Sequence, residues 1–255
     1  MAGTLELIGL REFPRVEPGD DLATLIADAL SRQGLTLQSG DVLVLAQKIV
    51  SKAENRYVRL ADVEPSPEAL ALAEAADKDP RQAELILRES REVIRVRPGV
   101  VIVEHRNGYV HANAGIDKSN IVSEADDPRV LLLPEDSDRS AARLREQLGA
   151  LCGTTPQVII NDSAGRAWRN GTVGIAIGTA GVEPLHNQIG EYDMFGNVLE
   201  VTEAAVADEL AAAASLVMGQ AAEACPVVLA RGAGLSASTA DSRALLRDKS
   251  MDMFR

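Results

Sequence analysis

The stretch that most constrains this chain is Val158 to Gly171, reading VIINDSAGRAWRNG, where a short apolar run breaks off into polar residues. Val158, Ile159 and Ile160 read as a buried strand. Asn161, Asp162, Ser163, Arg166 and Arg169 then crowd into what reads as one turn-rich loop, together with the only tryptophan, Trp168. Val42 to Leu45 repeats the pattern, a buried strand running into Gln47, Lys48, Ser51 and Lys52. In open α/β sheets ligands bind beyond the carboxyl ends of strands, so these two edges are where chemistry is expected. An Asp-Ser pair in a loop is, on its own, more often a device that satisfies its own backbone. The rest of the chain has to decide.

A third edge comes after a hairpin. Asn107-Gly108 is the strong two-residue turn signal between Val100 to Glu104 and Tyr109 to Asn113, and it delivers Asp117 and Asn120 in an acidic, amide-bearing loop. Around these edges lie packing elements. Asp20-Asp21 caps a helix with Leu22, Leu25, Ile26, Ala29 and Leu30 on one face, ended by Gly34. Ser66-Pro67 and Asp79-Pro80 each open a surface helix. Ser140 to Leu148 is expected as a helix ended by Gly149, Leu131 to Leu133 as a continuation of the sheet, and Thr202 as the cap of an alanine-rich helix reaching about Glu223. Gly171, Gly174, Gly178 and Gly181 mark a seam of close backbone approach, and Pro226 to Ala230 a last strand. The irregular order of strands, hairpin and helices predicts an α+β fold with mixed and antiparallel sheets and flanking helices. Residues 1–232 form the domain, and 233–255 a polar tail with a short amphipathic segment at Leu245 to Phe254.

Composition narrows the chemistry. A formal net charge of −12 argues against a nucleic-acid or anionic-membrane surface, because phosphate backbones demand clustered cations. No apolar run approaches the ~20 residues of a membrane span, and no signal-peptide core is present, so a soluble, cytoplasmic protein is expected. The two cysteines, Cys152 and Cys225, lack metal-ligand spacing and fit a reducing compartment, and with three histidines and no Cys-x-x-Cys a structural zinc site is a poor fit. The G-x-x-x-x-G-K-[ST], G-x-G-x-x-G and G-x-S-x-G motifs are all missing, so a nucleotide has to be held some other way and serine-hydrolase chemistry is a poor fit. What remains is oxygen-ligand chemistry. Asp117, Asp162 and Ser163 suit Mg²⁺ or Mn²⁺, and Lys48, Lys52, Arg166 and Arg169 suit phosphate. The residues alone therefore point to a metal-assisted, phosphate-handling enzyme without naming its substrate.

Four segments, GDVLVLAQKIVSKAENR (40–56), NAGIDKSN (113–120), NDSAGRAWRNG (161–171) and the glycine-rich VGIAIGTAG, resemble, in order and spacing, the coenzyme F420-0:L-glutamate ligase family. The similarity spans nearly all of residues 3–232. It implies an enzyme that joins L-glutamate to the phospholactyl carboxylate of a deazaflavin precursor, with further γ-linked glutamates in similar proteins. It also implies GTP as co-substrate, an acyl phosphate, and release of GDP and phosphate. Two divalent ions, Mg²⁺ or Mn²⁺, are implied, and a monovalent cation such as K⁺ is compatible. By the same resemblance Asp117, Asp162, Ser163 and, more loosely, Gln220 fall at metal positions. Leu10, Arg11, Glu12, Phe13, Gln47, Lys52 and Asn120 fall at nucleotide positions. Arg166 and Arg169 lie in the same motif and are read as binding the anionic phospholactyl or glutamate groups. Family members form intertwined homodimers, which would make the glycine row a packing surface. Longer relatives add a flavin-binding domain, so this chain resembles the standalone form. Its Asn161-Asp162-Ser163-Ala164 stands where threonine and bulkier neighbours are common. The alternatives are an amide ligase acting on another phosphorylated carboxylate and a non-catalytic nucleotide or deazaflavin binder.

Overall fold

The computed structural model describes residues 3–253. In chain order, β1 (Glu6–Gly9) leads to α1 (Leu22–Arg32), β2 (Val42–Ala46), α2 (Gln47–Ala53) and β3 (Tyr57–Arg59). Two helices, α3 (Pro67–Ala76) and α4 (Pro80–Arg88), precede the strands β4 (Ser90–Arg97), β5 (Val100–His105), β6 (Val110–Ala112) and β7 (Arg129–Leu131). Then come α5 (Ser137–Cys152), the long strands β8 (Gln157–Arg166) and β9 (Arg169–Ala180), and the short β10 (His186–Asn187) and β11 (Glu203–Ala204). Helix α6 (Val206–Met218) and strand β12 (Val227–Arg231) complete the regular elements named here.

The main sheet has the order β1-β12-β2-β8-β9. Only β2 and β8 run parallel; the other neighbours are antiparallel. The fold is α+β, with mixed and antiparallel sheets and flanking helices. Both faces are covered, which is why the central strands read as unbroken apolar runs rather than alternations. Leu43, Leu45, Val158 and Ile160 pack with Ile26, Ala29, Leu144 and Leu148 of α1 and α5 on one face. Val42, Val44 and Ile159 pack with Leu210, Ala211 and Ala214 of α6 on the other. A second body of strands, β4-β5-β6, carries α3 and α4.

The structure corrects the sequence reading in several places. Asn161 to Arg166 are not a loop: β8 continues through them, paired with β9 as far as Arg166 opposite Arg169. The turn falls at Ala167 and Trp168, the latter at φ 63. Polar side chains hid a strand whose backbone is paired by β9. Leu131 does not extend the main sheet but pairs with Tyr57 in a separate two-stranded β3-β7 sheet. Helix α5 runs past Gly149 and stops at Gly153, whose φ of 72 suits the left-handed cap. Gly149 is there for contact instead, since a Cβ would lie 2.5 Å from Thr155 Oγ1. Helix α6 starts at Val206, because Glu203 and Ala204 pair with Asn187 and His186, and it ends at Met218 before Gly219. Gln220 therefore sits in an irregular segment, not on a helix face.

Three of the four glycines of the row, Gly174, Gly178 and Gly181, pack against this chain's own helices. A Cβ on Gly174 would lie 2.6 Å from the Ala211 carbonyl of α6, and one on Gly178 2.5 Å from the Ser137 carbonyl of α5. The tail docks on the body through two 3₁₀ turns, Ser242–Leu245 and Lys249–Met251. Ser242 donates to Asp138 at 2.9 Å, and Lys249 pairs with Glu92 at 2.7 Å. The amphipathic reading extends to Phe254, which lies outside the described residues.

Candidate functional site

The parallel pair β2-β8 sets the site. Ala46 and Asn161 are register partners, so the two strand ends singled out in the sequence emerge side by side. A β-bulge between Ile160 and Asn161, where β9 carries the extra residue Ile177, re-aims the strand at the point where apolar gives way to polar. Beyond it lies a cavity of about 480 Å³, within the range of small-molecule sites.

Its wall gathers residues remote in sequence. Gln47, Lys48 and Lys52 come from α2, Asp162 and Ser163 from β8, Asn120 from the loop before β7, and Gln220 from the segment after α6. Asn120, at φ 56, donates from its side-chain amide to the Ala221 carbonyl at 3.0 Å and accepts Lys52 Nζ on its own carbonyl at 2.7 Å. It thus ties the lysine to the loop that carries Gln220. Ser163 Oγ donates to Gln220 Oε1 at 2.9 Å. Asp117 is anchored in an isolated bridge to Leu131 and reaches the wall through two partners. Gln47 Nε2 donates to its Oδ2 at 2.5 Å, and Lys48 Nζ pairs with its Oδ1 at 2.8 Å. Ser51 donates to Gln47 Oε1 at 2.8 Å, which fixes the amide with its nitrogen toward Asp117.

Not every expected residue comes here. Phe13 lines the cavity, but Leu10 is fully buried in the core, and Arg11 and Glu12 are exposed outside the lining, Glu12 at φ 53. Arg166 and Arg169 face each other across the hairpin end, where Arg166 donates to the Gly171 carbonyl at 3.1 Å. Arg166 lies four residue steps beyond Asp162 on the strand, roughly 13 Å along the chain. Trp168, 86% exposed at that tip, does not wall the cavity.

Sequence reasoning missed His111. Its buried ring, on β6, puts Nε2 3.0 Å from Asp162 Oδ2, close enough for charge pairing though not aligned as a hydrogen bond. Tyr109 packs edge-on against it at 6.1 Å and stacks on the fully buried His105 at 4.9 Å. The signal was alternation: Tyr109 and His111 point inward while Val110 points out, as in any strand with one buried face.

The electrostatics are those of an acidic pair short of solvent. Burial raises the Asp117 pKa, Lys48 pulls it back, and Asp162 pushes it up again, so the first carboxylate feels the second. Burial alone would lower the His111 pKa, but the Asp162 carboxylate more than offsets this and the net shift is upward. Lys52 is held below its ordinary value by burial, and the Lys48 and Arg15 cations add to that despite Glu17. Among the described residues no three His, Cys, Asp or Glu side chains converge as a metal set. The donors present are instead two carboxylates, a hydroxyl and an amide oxygen. Two like charges pressing on each other beside neutral oxygens fit a hard divalent cation such as Mg²⁺ or Mn²⁺.

A family model described as F420-0:Gamma-glutamyl ligase matches residues 11–232. The chain is 47% identical over 253 residues to the coenzyme F420:L-glutamate ligase of Methanothermobacter thermautotrophicus, covering 98% of this chain and 99% of the relative. It is 46% identical over 245 residues to the protein of that name in Methanopyrus kandleri, covering 94% of each. With that of Methanocaldococcus jannaschii it shares 40% identity over 253 residues, covering 98% of this chain and 97% of the relative.

Proposed function

Because the chain belongs to the F420-0:gamma-glutamyl ligase family, we propose that it joins L-glutamate to the phospholactyl carboxylate of coenzyme F420-0, with GTP activating the carboxylate as an acyl phosphate. The glutamate amine attacks the acyl carbon, the C–O bond to phosphate breaks, and GDP and phosphate leave; repetition on the new glutamate gives a γ-linked tail. The observation that carries this reading is the convergence of Asp162, Ser163, Gln220, Lys52 and Asn120 around one cavity, with Asp117 bound to Gln47 and Lys48 of its wall.

Each group has a role within that reading. Asp117, Asp162, Ser163 and Gln220 hold divalent metal, which when bound neutralises the oxygens of the transferred phosphoryl group. Lys52, fixed by the Asn120 carbonyl, offers a point charge to a phosphate, and Asn120 is itself held by Ala221. The Phe13 to Glu17 segment forms the wall available to the nucleoside. His111 keeps the Asp162 carboxylate turned toward the cavity. Arg166 and Arg169 stand too far along the hairpin to touch the same phosphoryl group, and are assigned to the acceptor's anionic tail. Exposed Tyr192, Met194, Phe195 and Val201 form an apolar excursion that suits a homodimer. A cytoplasmic setting is proposed with it. No helix of the described residues is long and apolar enough to cross a membrane.

Asp162→Asn tests the site. The substitution keeps the shape and removes the charge, so turnover should fall roughly a thousandfold, equivalent to about 4 kcal/mol of barrier, with the fold intact by circular dichroism. Activity near wild type would remove Asp162 from the metal set.

A further inference from the structure

Each oxygen of Asp117 carries a partner. Gln47 donates to Oδ2 from a fixed amide, and the ammonium of Lys48 sits on Oδ1 at 2.8 Å. The two partners differ in kind. Gln47 is buried and locked by Ser51, whereas Lys48 is a flexible four-carbon chain that faces the cavity with about a quarter of its side chain exposed. A divalent cation on Asp117 would share the carboxylate with a resident positive charge, and the two repel. Moving Lys48 relieves that repulsion, and Lys48, unlike Gln47, has the length and the open side to move. Once released, its ammonium lies in the same cavity as Lys52, whose pKa already registers the Lys48 and Arg15 charges. Lys48, Lys52 and Arg15 then share that wall with Glu17, which already faces Lys52, so the freed ammonium belongs on a further negative charge brought by a ligand. A nucleotide phosphate supplies it.

We propose that Lys48 is the built-in counter-ion of Asp117: it neutralises the carboxylate while the site is empty, yields it to the incoming divalent cation, and moves to a phosphate oxygen of the nucleotide. This rests on the proposed metal and nucleotide roles of the cavity. Its consequence is linkage. Metal entry frees Lys48 for phosphate, and phosphate draws Lys48 off Asp117, so each ligand tightens the other by the same factor. Lys48 is a positioning residue in this role, acting on the affinity of Asp117.

The test is Mn²⁺ titration of the wild type and of Lys48→Met, Lys48→Gln and Lys48→Arg, read as free Mn²⁺ by electron paramagnetic resonance, without nucleotide and with saturating GDP. The two neutral variants should bind Mn²⁺ about tenfold more tightly than the wild type without GDP, the scale on which removal of an adjacent charge acts. GDP should tighten Mn²⁺ binding in the wild type and much less in the neutral variants. Lys48→Arg, which keeps the charge, should behave as wild type. If the wild type binds Mn²⁺ and neither neutral variant binds it more tightly, the counter-ion role is overturned while the metal reading stands. If the wild type binds no Mn²⁺ with or without GDP, the metal reading falls and the proposal with it. A merely structural lysine would weaken Mn²⁺ binding on removal, the opposite sign.

Discussion

Asp162 shows how the fold sets the surroundings of one side chain of the proposed site. It is buried, sits just past a bulge, faces His111 at 3.0 Å and adds to the upward pressure on the Asp117 pKa. Its neighbours divide the work by distance. Ser163 and Gln220 share its wall, while Arg166 and Arg169 stand at the other end of the hairpin. Arg169→Ala should therefore raise KM for F420-0 about tenfold, some 1.4 kcal/mol, and leave KM for GTP unchanged. Steady-state kinetics with each substrate varied would check it, and a rise confined to GTP would contradict the assignment to the acceptor tail. At this scale much was legible. Asp117, Asp162, Gln47, Lys52 and Asn120 come after apolar runs, and the chain leaving a strand end is open to ligands. His111 was not legible, because a lone histidine among strand residues carries no local sign that a carboxylate from another strand will meet it. Leu10 to Glu12 are placed by resemblance alone, and the fold turns the first of them into the core.

At the level of elements, the β8-β9 hairpin is the organiser. It supplies Asp162 at one point and packs two helices along its second strand, and the second task explains Gly174 and Gly178. At Gly178 the Ser137 carbonyl lies where a Cβ would go, and backbone cannot rotate aside as a side chain can. Gly178→Ala should cost about 3 kcal/mol by overpacking, lowering Tm by roughly 6–12 °C in a chain of this size. An unchanged melting temperature by differential scanning calorimetry would show that α5 can shift freely over β9. The glycine spacing announces close approach in the sequence, but not what approaches. Within the chain, Gly174 and Gly178 meet α6 and α5. The hairpin itself is hidden in the sequence because polar residues at 161–166 look like a loop until a partner strand is known to pair them. The end of α6 differs from expectation for a related reason: Gly219 interrupts the alanine-rich run at Met218, and Gln220 reaches the cavity because the helix has already ended.

Across the whole molecule, a covered mixed sheet opens at one end into a cavity built from segments between residues 13 and 226. The α+β class, the antiparallel β5-β6 hairpin and the family were all legible, since apolar runs, turn signals and long motifs are local. The division into a main sheet and a separate β3-β7 pair was not, because strand partnership is a long-range property. The exposed apolar excursion at 189–201 carries the prediction that belongs to this scale. Light scattering should give twice the monomer mass, and a strictly monomeric protein at micromolar concentration would remove the dimer. The central claim is catalytic, and mass spectrometry tests it most directly: the protein is incubated with F420-0, L-glutamate, GTP and Mn²⁺, and the deazaflavin products are weighed. The account predicts species heavier by glutamyl units, with one GDP released per bond formed. Unchanged F420-0 from a folded protein that binds GTP and Mn²⁺ would contradict it.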